Sequence, residues 1–166
     1  MKLKISNNLY IKKNSNPLII AEISANHTGK KKLFLDHIRS AAKNGADLIK
    51  IQTYEPKDIT LRLKTKKFLI KSGTWRGKNL WDLYSNGFTP FSWHKDAFKL
   101  AKKLKIPIFS SPFSKRAVDL LESLKTPIYK IASFEITDLN LIDYVARKKK
   151  PIIISTGMAT LTEIKR

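Results

Sequence analysis

Five times in this chain a short apolar run gives way to a stretch of helical periodicity, and the alternation is interrupted only once. The runs are LIIAEI from Leu18, DLIKIQT from Asp47, IPIFSS from Ile106, PIYKIA from Pro127 and PIIIS from Pro151. Short and rich in isoleucine, they read as strands buried on both faces. Between them, Phe34, Ile38, Ala41 and Ala42 share one face of a helix over Lys31 to Asn44, with Gly45 placed to end it in a left-handed turn. Thr89-Pro90 reads as a cap and first turn for a helix with Trp93, Ala97, Leu100, Ala101 and Leu104 on its stripe. Ser114 caps a helix carrying Ala117, Leu120, Leu121 and Leu124. Thr137 or Asp138 opens another, with Leu141, Ile142, Val145 and Ala146. Strict strand–helix alternation implies a parallel sheet, helices packed outside it and right-handed crossovers.

Two architectures fit, a doubly wound open sheet and a (β/α)8 barrel of which about 250 residues would make a whole one. Every strand ends in a chemically useful side chain: Glu22; Lys50 and Gln52; Ser110 and Ser111; Lys130, Ser133 and Glu135; Ser155 and Thr156. A barrel gathers such ends at one mouth, whereas an open sheet uses only those near a switch point. No glycine-rich phosphate loop follows any strand. The α/β fold expected is therefore a partial TIM (β/α)8 barrel, its first five β/α units preceded by an N-terminal β-hairpin. The hairpin spans residues 1–16, with its turn at Asn7-Asn8, and the barrel segment residues 17–166. Residues 54–88 interrupt the rhythm with Pro56, Gly73, Gly77, Trp75, Trp81 and Tyr84; this is a binding excursion with short helices, its aromatics packed as core. A capping-box pattern, Thr160-Leu-Thr-Glu163, announces a helix that reaches Arg166 before two turns, so the expectation is an incomplete chain.

Charge argues against a first impression. There are 33 Lys and Arg against 13 Asp and Glu in 166 residues, a formal net charge of +20. The excess is mostly lysine in scattered pairs and triplets such as Lys30–Lys32 and Lys148–Lys150, with no recognition signature for nucleic acid. A solvated basic surface and an anionic small-molecule substrate are the expectation, with no specific nucleic-acid partner. No apolar run approaches the roughly 18 residues that span a membrane, and no signal-peptide pattern opens the chain. No membrane partner and a cytoplasmic location are expected. With no cysteine, thiolate metal sites are excluded.

Lys50 and Lys130 on separate strands suit a phosphate or carboxylate, with Ser111 and Ser133 adding hydroxyl donors. Either lysine could instead form a Schiff base or pair with Glu22 or Glu135. Those two carboxylates could supply acid–base chemistry. His27, His37 and His94 lack metal-ligand spacing, and a surface role is expected for the two on helices, His37 and His94.

Taken together, AEISANHTG, KIQTY, FSSPFS, YKIASFEITD and STGMATLTEI resemble the sialic acid (N-acetylneuraminate) synthase family, in motif order and spacing from residue 18 to 164. Ser24-Ala25, Thr53-Tyr54, LWDLY at 80–84 and SFEITD at 133–138 are similar to its pseudaminic acid synthase branch. The resemblance implies a metal-dependent transferase of carbohydrate biosynthesis. It would condense phosphoenolpyruvate with a 2,4-diacetamido-2,4,6-trideoxyhexose, giving a nonulosonic acid and phosphate. In that chemistry carbon 3 of phosphoenolpyruvate attacks the sugar aldehyde, water adds at carbon 2 and phosphate leaves with C–O cleavage. Carried over by motif, Lys50, Ser111, Lys130 and Ser133 would bind phosphoenolpyruvate. Glu22 would stand at the aldehyde with Glu135 as acid or base, and Gln52, Ser155, Asn26 and His27 would line the sugar pocket. Ser111 stands where many relatives have threonine, which keeps the hydroxyl.

The resemblance also implies a divalent cation, Mn2+ or Mg2+, whose ligands are expected on strands this chain lacks. It implies a homodimer completed by a C-terminal antifreeze-like domain, absent here. The chain is therefore expected to be a fragment inactive alone. Alternatives are an N-acetylneuraminate or legionaminate synthase, and a non-catalytic remnant that binds phosphosugars or another subunit.

Overall fold

The computed structural model describes residues 2–6 and 9–165. The hairpin pairs β1 (Lys2–Lys4) antiparallel with β2 (Tyr10–Lys12), Lys2 opposite Lys12. Its expected turn at Asn7-Asn8 lies outside the described residues. Then come β3 (Ile20–Glu22), α1 (Lys31–Lys43) and β4 (Leu48–Thr53). The excursion contains α2 (Pro56–Ile59), a 3-10 turn at Lys66–Phe68 and α3 (Leu80–Gly87). The remainder is α4 (Phe91–Lys103), β5 (Ile108–Pro112), α5 (Lys115–Ser123), β6 (Tyr129–Ile131), α6 (Leu139–Ala146), β7 (Ile152–Ile154) and α7 (Leu161–Lys165). A 3-10 turn at Ser133–Thr137 leads into α6.

The five main strands are parallel and hydrogen-bond in sequential order, β3-β4-β5-β6-β7. A doubly wound sheet would reverse direction at a switch point; this one never does, so it is an arc of a barrel. Alternation along each strand separates two faces. Outward, Ile49, Ile51 and Ile108 pack with Phe34 and Ile38 of α1 and Ala97 and Ala101 of α4. Tyr129 and Ile131 pack in the same way with Val118 and Leu121 of α5 and Leu141 and Val145 of α6. Inward, Leu48, Phe109 and Ile128 close over Ile5, so the hairpin floors the arc at the amino ends of its strands.

The strand at Leu18 departs from expectation. Ile19 and Ile20 are 58% and 38% exposed, because β3 is an edge strand paired with β4 alone. At the other edge Ile154 is exposed as well. The helix expected to begin at Pro90, with Thr89 as its cap, starts one residue later, at Phe91, with Pro90 in the cap position. Thr89 is buried and its hydroxyl is used elsewhere, as described below. The other capping expectations hold. Ser114 accepts from the Ala117 amide, Asp138 from that of Leu141, and Thr160 and Glu163 close their reciprocal box.

Three helices end alike. After α1, α4 and α5 the next residue but one turns left-handed, at Gly45 (φ 83°), Lys105 (φ 58°) and Lys125 (φ 59°). In each case paired amide bonds close back onto the last turn, as from Lys125 to Glu122 and Thr126 to Leu121. Only the first uses glycine; the two lysines hold a conformation that crowds Cβ against the carbonyl. Lys105→Gly and Lys125→Gly are each expected to raise unfolding free energy by about 1 kcal/mol. Urea denaturation checks this, and a loss of stability in both variants would contradict the assignment.

Candidate active site

The inward side chains change character along every strand. Near the floor they are apolar: Leu48, Phe109, Ile128 and Ile153. Two residues further on, the same face carries Lys50, Ser111, Lys130 and Ser155, and on the edge strand Glu22 follows Ile20. Parallel register sets these side by side: Glu22 is opposite Lys50, and Gln52 opposite Ser111. A polar layer thus lies on an apolar one, at the carboxyl end of the strands where sites of this architecture form.

Lys50 forms an ion pair with the Glu22 carboxylate. The other Glu22 oxygen accepts the Ser24 amide at 3.0 Å, and Ser24 sits left-handed at φ 46°. Lys130 donates to Ser155 Oγ at 2.6 Å and to the Ile131 carbonyl at 2.9 Å. Burial, and after it the nearby Lys50 charge, push the Lys130 ammonium below the usual lysine range. The loop after β7 comes close: a Cβ on Gly157 would lie 3.4 Å from Ser133 Oγ.

Two buried side-chain oxygens among the described residues have no hydrogen-bond partner, Ser111 Oγ and Glu135 Oε2. Such orphans are uncommon and call for a ligand or another specific cause. Burial pushes the Glu135 carboxyl above the usual carboxylate range, and Asp138 adds to the shift. Glu135 and Gln52 also line a cavity of about 520 Å³ between the strand ends and the excursion, walled by Tyr54, Leu80, Tyr84 and Phe134. Tyr84 therefore faces a cavity and Trp75 is 51% exposed, so these two are not the core packing expected, whereas Tyr54 is buried.

The structure therefore brings Glu22, Lys50, Lys130 and Ser155 into direct contacts. Gln52 lies on Lys50's own strand with Ser111 in register beside it on β5, and Ser133 and Glu135 lie on the turn after β6. His27 and Asn26 are placed differently. His27 is fully buried, its ring edge-on to Phe34 and Trp93; Nδ1 accepts the Gly29 amide at 3.1 Å and Nε2 meets Thr89 Oγ1 at 3.1 Å. No atom of that ring is open to a sugar: it ties the loop after β3 to the start of α4. The Asn26 amide is bonded to the Ile23 carbonyl.

His94 corrects a second expectation, for it is fully buried rather than on the surface. Its Nδ1 reaches the Pro90 carbonyl at 3.2 Å and its Nε2 the Thr53 hydroxyl at 2.8 Å, which continues to Ser110 Oγ at 2.6 Å. A neutral ring must donate from Nδ1 to the carbonyl, so Nε2 accepts from Thr53 and Thr53 accepts from Ser110. This chain of bonds anchors the ends of β4 and β5 to α4, behind Gln52 and Ser111. The signal in sequence was the pair of hydroxyl residues, Thr53 and Ser110, on the helix-facing side of two strands.

The resemblance implied a divalent cation, but no group of three or more His, Cys, Asp or Glu among the described residues could hold a metal ion. Glu22 is engaged by Lys50 and both His27 nitrogens are taken. These residues do not by themselves form a metal site. No described helix is long and apolar enough to cross a membrane.

Comparison with known proteins gives consistent findings. The NeuB family pattern matches residues 37–166. A pseudaminic acid synthase from Helicobacter pylori is 50% identical over 148 residues, which are 89% of this chain and 44% of that protein. An N,N'-diacetyllegionaminic acid synthase from Campylobacter jejuni is 38% identical over 148 residues, 89% of this chain and 44% of the relative. The chain thus spans less than half the length of these curated relatives. The crystal structure of an N-acetylneuraminic acid (sialic acid) synthetase from Leptospira borgpetersenii superposes with a TM-score of 0.83 at 26% identity, covering 99% of this chain and 53% of that one.

Burial lowers the His94 pKa from 6.5 to about 4. A ring kept neutral when folded binds fewer protons than the unfolded chain between those values, so stability falls as pH drops from 6.5 toward 4. The loss expected is up to about 3 kcal/mol, and His94→Gln should flatten that part of the curve. Denaturant unfolding at pH 7, 6, 5 and 4.5 reads the slope; a slope unchanged in the variant would contradict the assignment.

Proposed function

We propose that this chain, which belongs to the NeuB family, supplies the phosphoenolpyruvate-binding side of a pseudaminic acid synthase site. The observation that carries this reading is the orphaned hydroxyl oxygen, Ser111 Oγ, on the same inward face as two lysines. A buried hydroxyl without a partner next to cationic donors is what an anion's oxygens would satisfy. The higher identity to a pseudaminic than to a legionaminic acid synthase supports the choice of branch.

On this reading Lys50, Lys130, Ser111 and Ser133 hold the phosphate and carboxylate of phosphoenolpyruvate. Glu22 is then a stand-in: it neutralises Lys50 in the free protein and gives up part of that contact when the anion arrives. Phosphoenolpyruvate is thereby held with carbon 3 toward the cavity at Gln52 and Glu135, where the hexose aldehyde would lie. The raised Glu135 carboxyl suits a proton donor to the aldehyde oxygen as the carbon–carbon bond forms. Water then adds at carbon 2, and the C–O bond to phosphate breaks. The divalent cation is assigned to ligands outside these 166 residues, and so is the rest of the sugar site.

Calorimetry with phosphoenolpyruvate tests the reading. Ser111→Ala should weaken binding at least about tenfold, since it removes a hydrogen bond to a charged group. Its unfolding free energy should stay level or rise, because it also removes an unsatisfied buried hydroxyl. Lys130→Met should abolish binding. Unchanged affinity in both variants would sink the assignment. Mixed with phosphoenolpyruvate, the diacetamido hexose and Mn2+, the chain alone should release no phosphate; release at an ordinary enzymatic rate would show the site to be complete.

A further inference from the structure

The cavity at the mouth differs in character from the lysine layer beside it. Its acidic lining residues are Asp58, Glu135 and Asp138, and no lysine or arginine lines it. Two of the three are already engaged: Asp58 accepts the Glu55 amide at 2.7 Å and Asp138 that of Leu141 at 3.0 Å. Glu135 Oε2 is buried with no partner. Such a cavity repels an anion and offers an acceptor to a neutral molecule bearing N–H or O–H groups.

Its other side is apolar and firmly held. Tyr54, 4% exposed, meets Tyr84 edge-on at 5.9 Å and Phe113 at 5.4 Å. Gly87 lets α3 come close, since a Cβ there would lie 3.2 Å from Ala25 Cβ and 3.3 Å from the Tyr54 hydroxyl. Burial first and the Glu135 charge second push the Tyr84 hydroxyl pKa upward, which sets Tyr84 within the field of that carboxylate. Phe134 stands apart from every core cluster. It is 73% exposed yet lines this cavity, between Ser133 and Glu135 in sequence. Nothing in the packing of the fold accounts for a large aromatic there.

We propose that Phe134, with Leu80 and Tyr84, is the specificity wall of the sugar site. It takes the methyl-bearing edge of the hexose, its deoxy carbon and acetamido methyls, while Glu135 faces the sugar's N–H and O–H donors. This rests on the function proposed above and adds to it the residues that choose the sugar. A hexose with a hydroxyl on that carbon and fewer acetamido methyls leaves the wall partly wet, and binds less well.

The test is calorimetry on the full 166-residue chain with three probes: the 2,4-diacetamido-2,4,6-trideoxyhexose, N-acetylmannosamine and phosphoenolpyruvate. The expected preference for the deoxy sugar is about tenfold or more, the discrimination that an added methyl group gives in an apolar pocket. Phe134→Ser, at an exposed position with little folding role, should reduce the preference toward parity and leave phosphoenolpyruvate affinity unchanged; Leu80→Asn is the second variant. No preference in the unaltered chain, no binding of either sugar, or a preference that survives both variants overturns the proposal. If phosphoenolpyruvate still binds in those cases, the function proposed above stands and only the wall falls. If the unaltered chain fails to bind phosphoenolpyruvate, both fall together.

Discussion

Two lysines are held inside the arc, on strands β4 and β6, and much of the site's arrangement follows from keeping them charged. Lys50 is compensated by Glu22, and Lys130 by Ser155 and a carbonyl. Neither arrangement supplies what an anion between them would, and Lys130 already feels both burial and its neighbour's charge. Apolar residues below, packed with Ile5 of the hairpin, floor the arc. A partly desolvated pair of cations strengthens any interaction with an incoming phosphate, since the local dielectric is lower than that of water. On the proposed function, the polar layer is arranged for a ligand more than for stability.

Strain and buried polar bonds support that layer. The loop after β3 places Ser24 and Thr28 left-handed at φ 46°, conformations disfavoured for side chains with a Cβ. His27 holds this loop through Gly29 and Thr89, and His94 holds β4 and β5 through Thr53 and Ser110. Both histidines act on the start of α4, where the excursion returns to the barrel. They set the backbone from which Glu22, Gln52 and Ser111 project, and neither offers a nitrogen to a ligand.

Much of this was legible in the sequence, because it depends on period. Alternation along strands separates Lys50 and Gln52 from Ile49 and Ile51, and helical spacing places Phe34 and Ile38 in the core. Capping by Ser114, Asp138 and Thr160 could be read from residue type alone. What failed depended on partners distant in sequence. Ile19 and Ile20 look buried on composition, but burial depends on a neighbour beyond β3, and their edge is open. Thr89 has the chemistry of a cap, yet a histidine 62 residues away claims its hydroxyl. His94 looks like a surface helix residue until Thr53 and Ser110 are seen beneath it. The cavity wall at Phe134 has no periodic signature, since it is assembled from a turn and an excursion.

On the proposed function, the inward lysine layer is an anion site for phosphoenolpyruvate. A crystal structure of the chain soaked with phosphoenolpyruvate tests it most directly. Phosphate and carboxylate oxygens are expected in hydrogen-bond reach of Lys50, Lys130 and Ser111, with Glu22 drawn away from Lys50. Phosphoenolpyruvate bound elsewhere, or an intact Glu22–Lys50 pair with the mouth empty at saturating ligand, would contradict it.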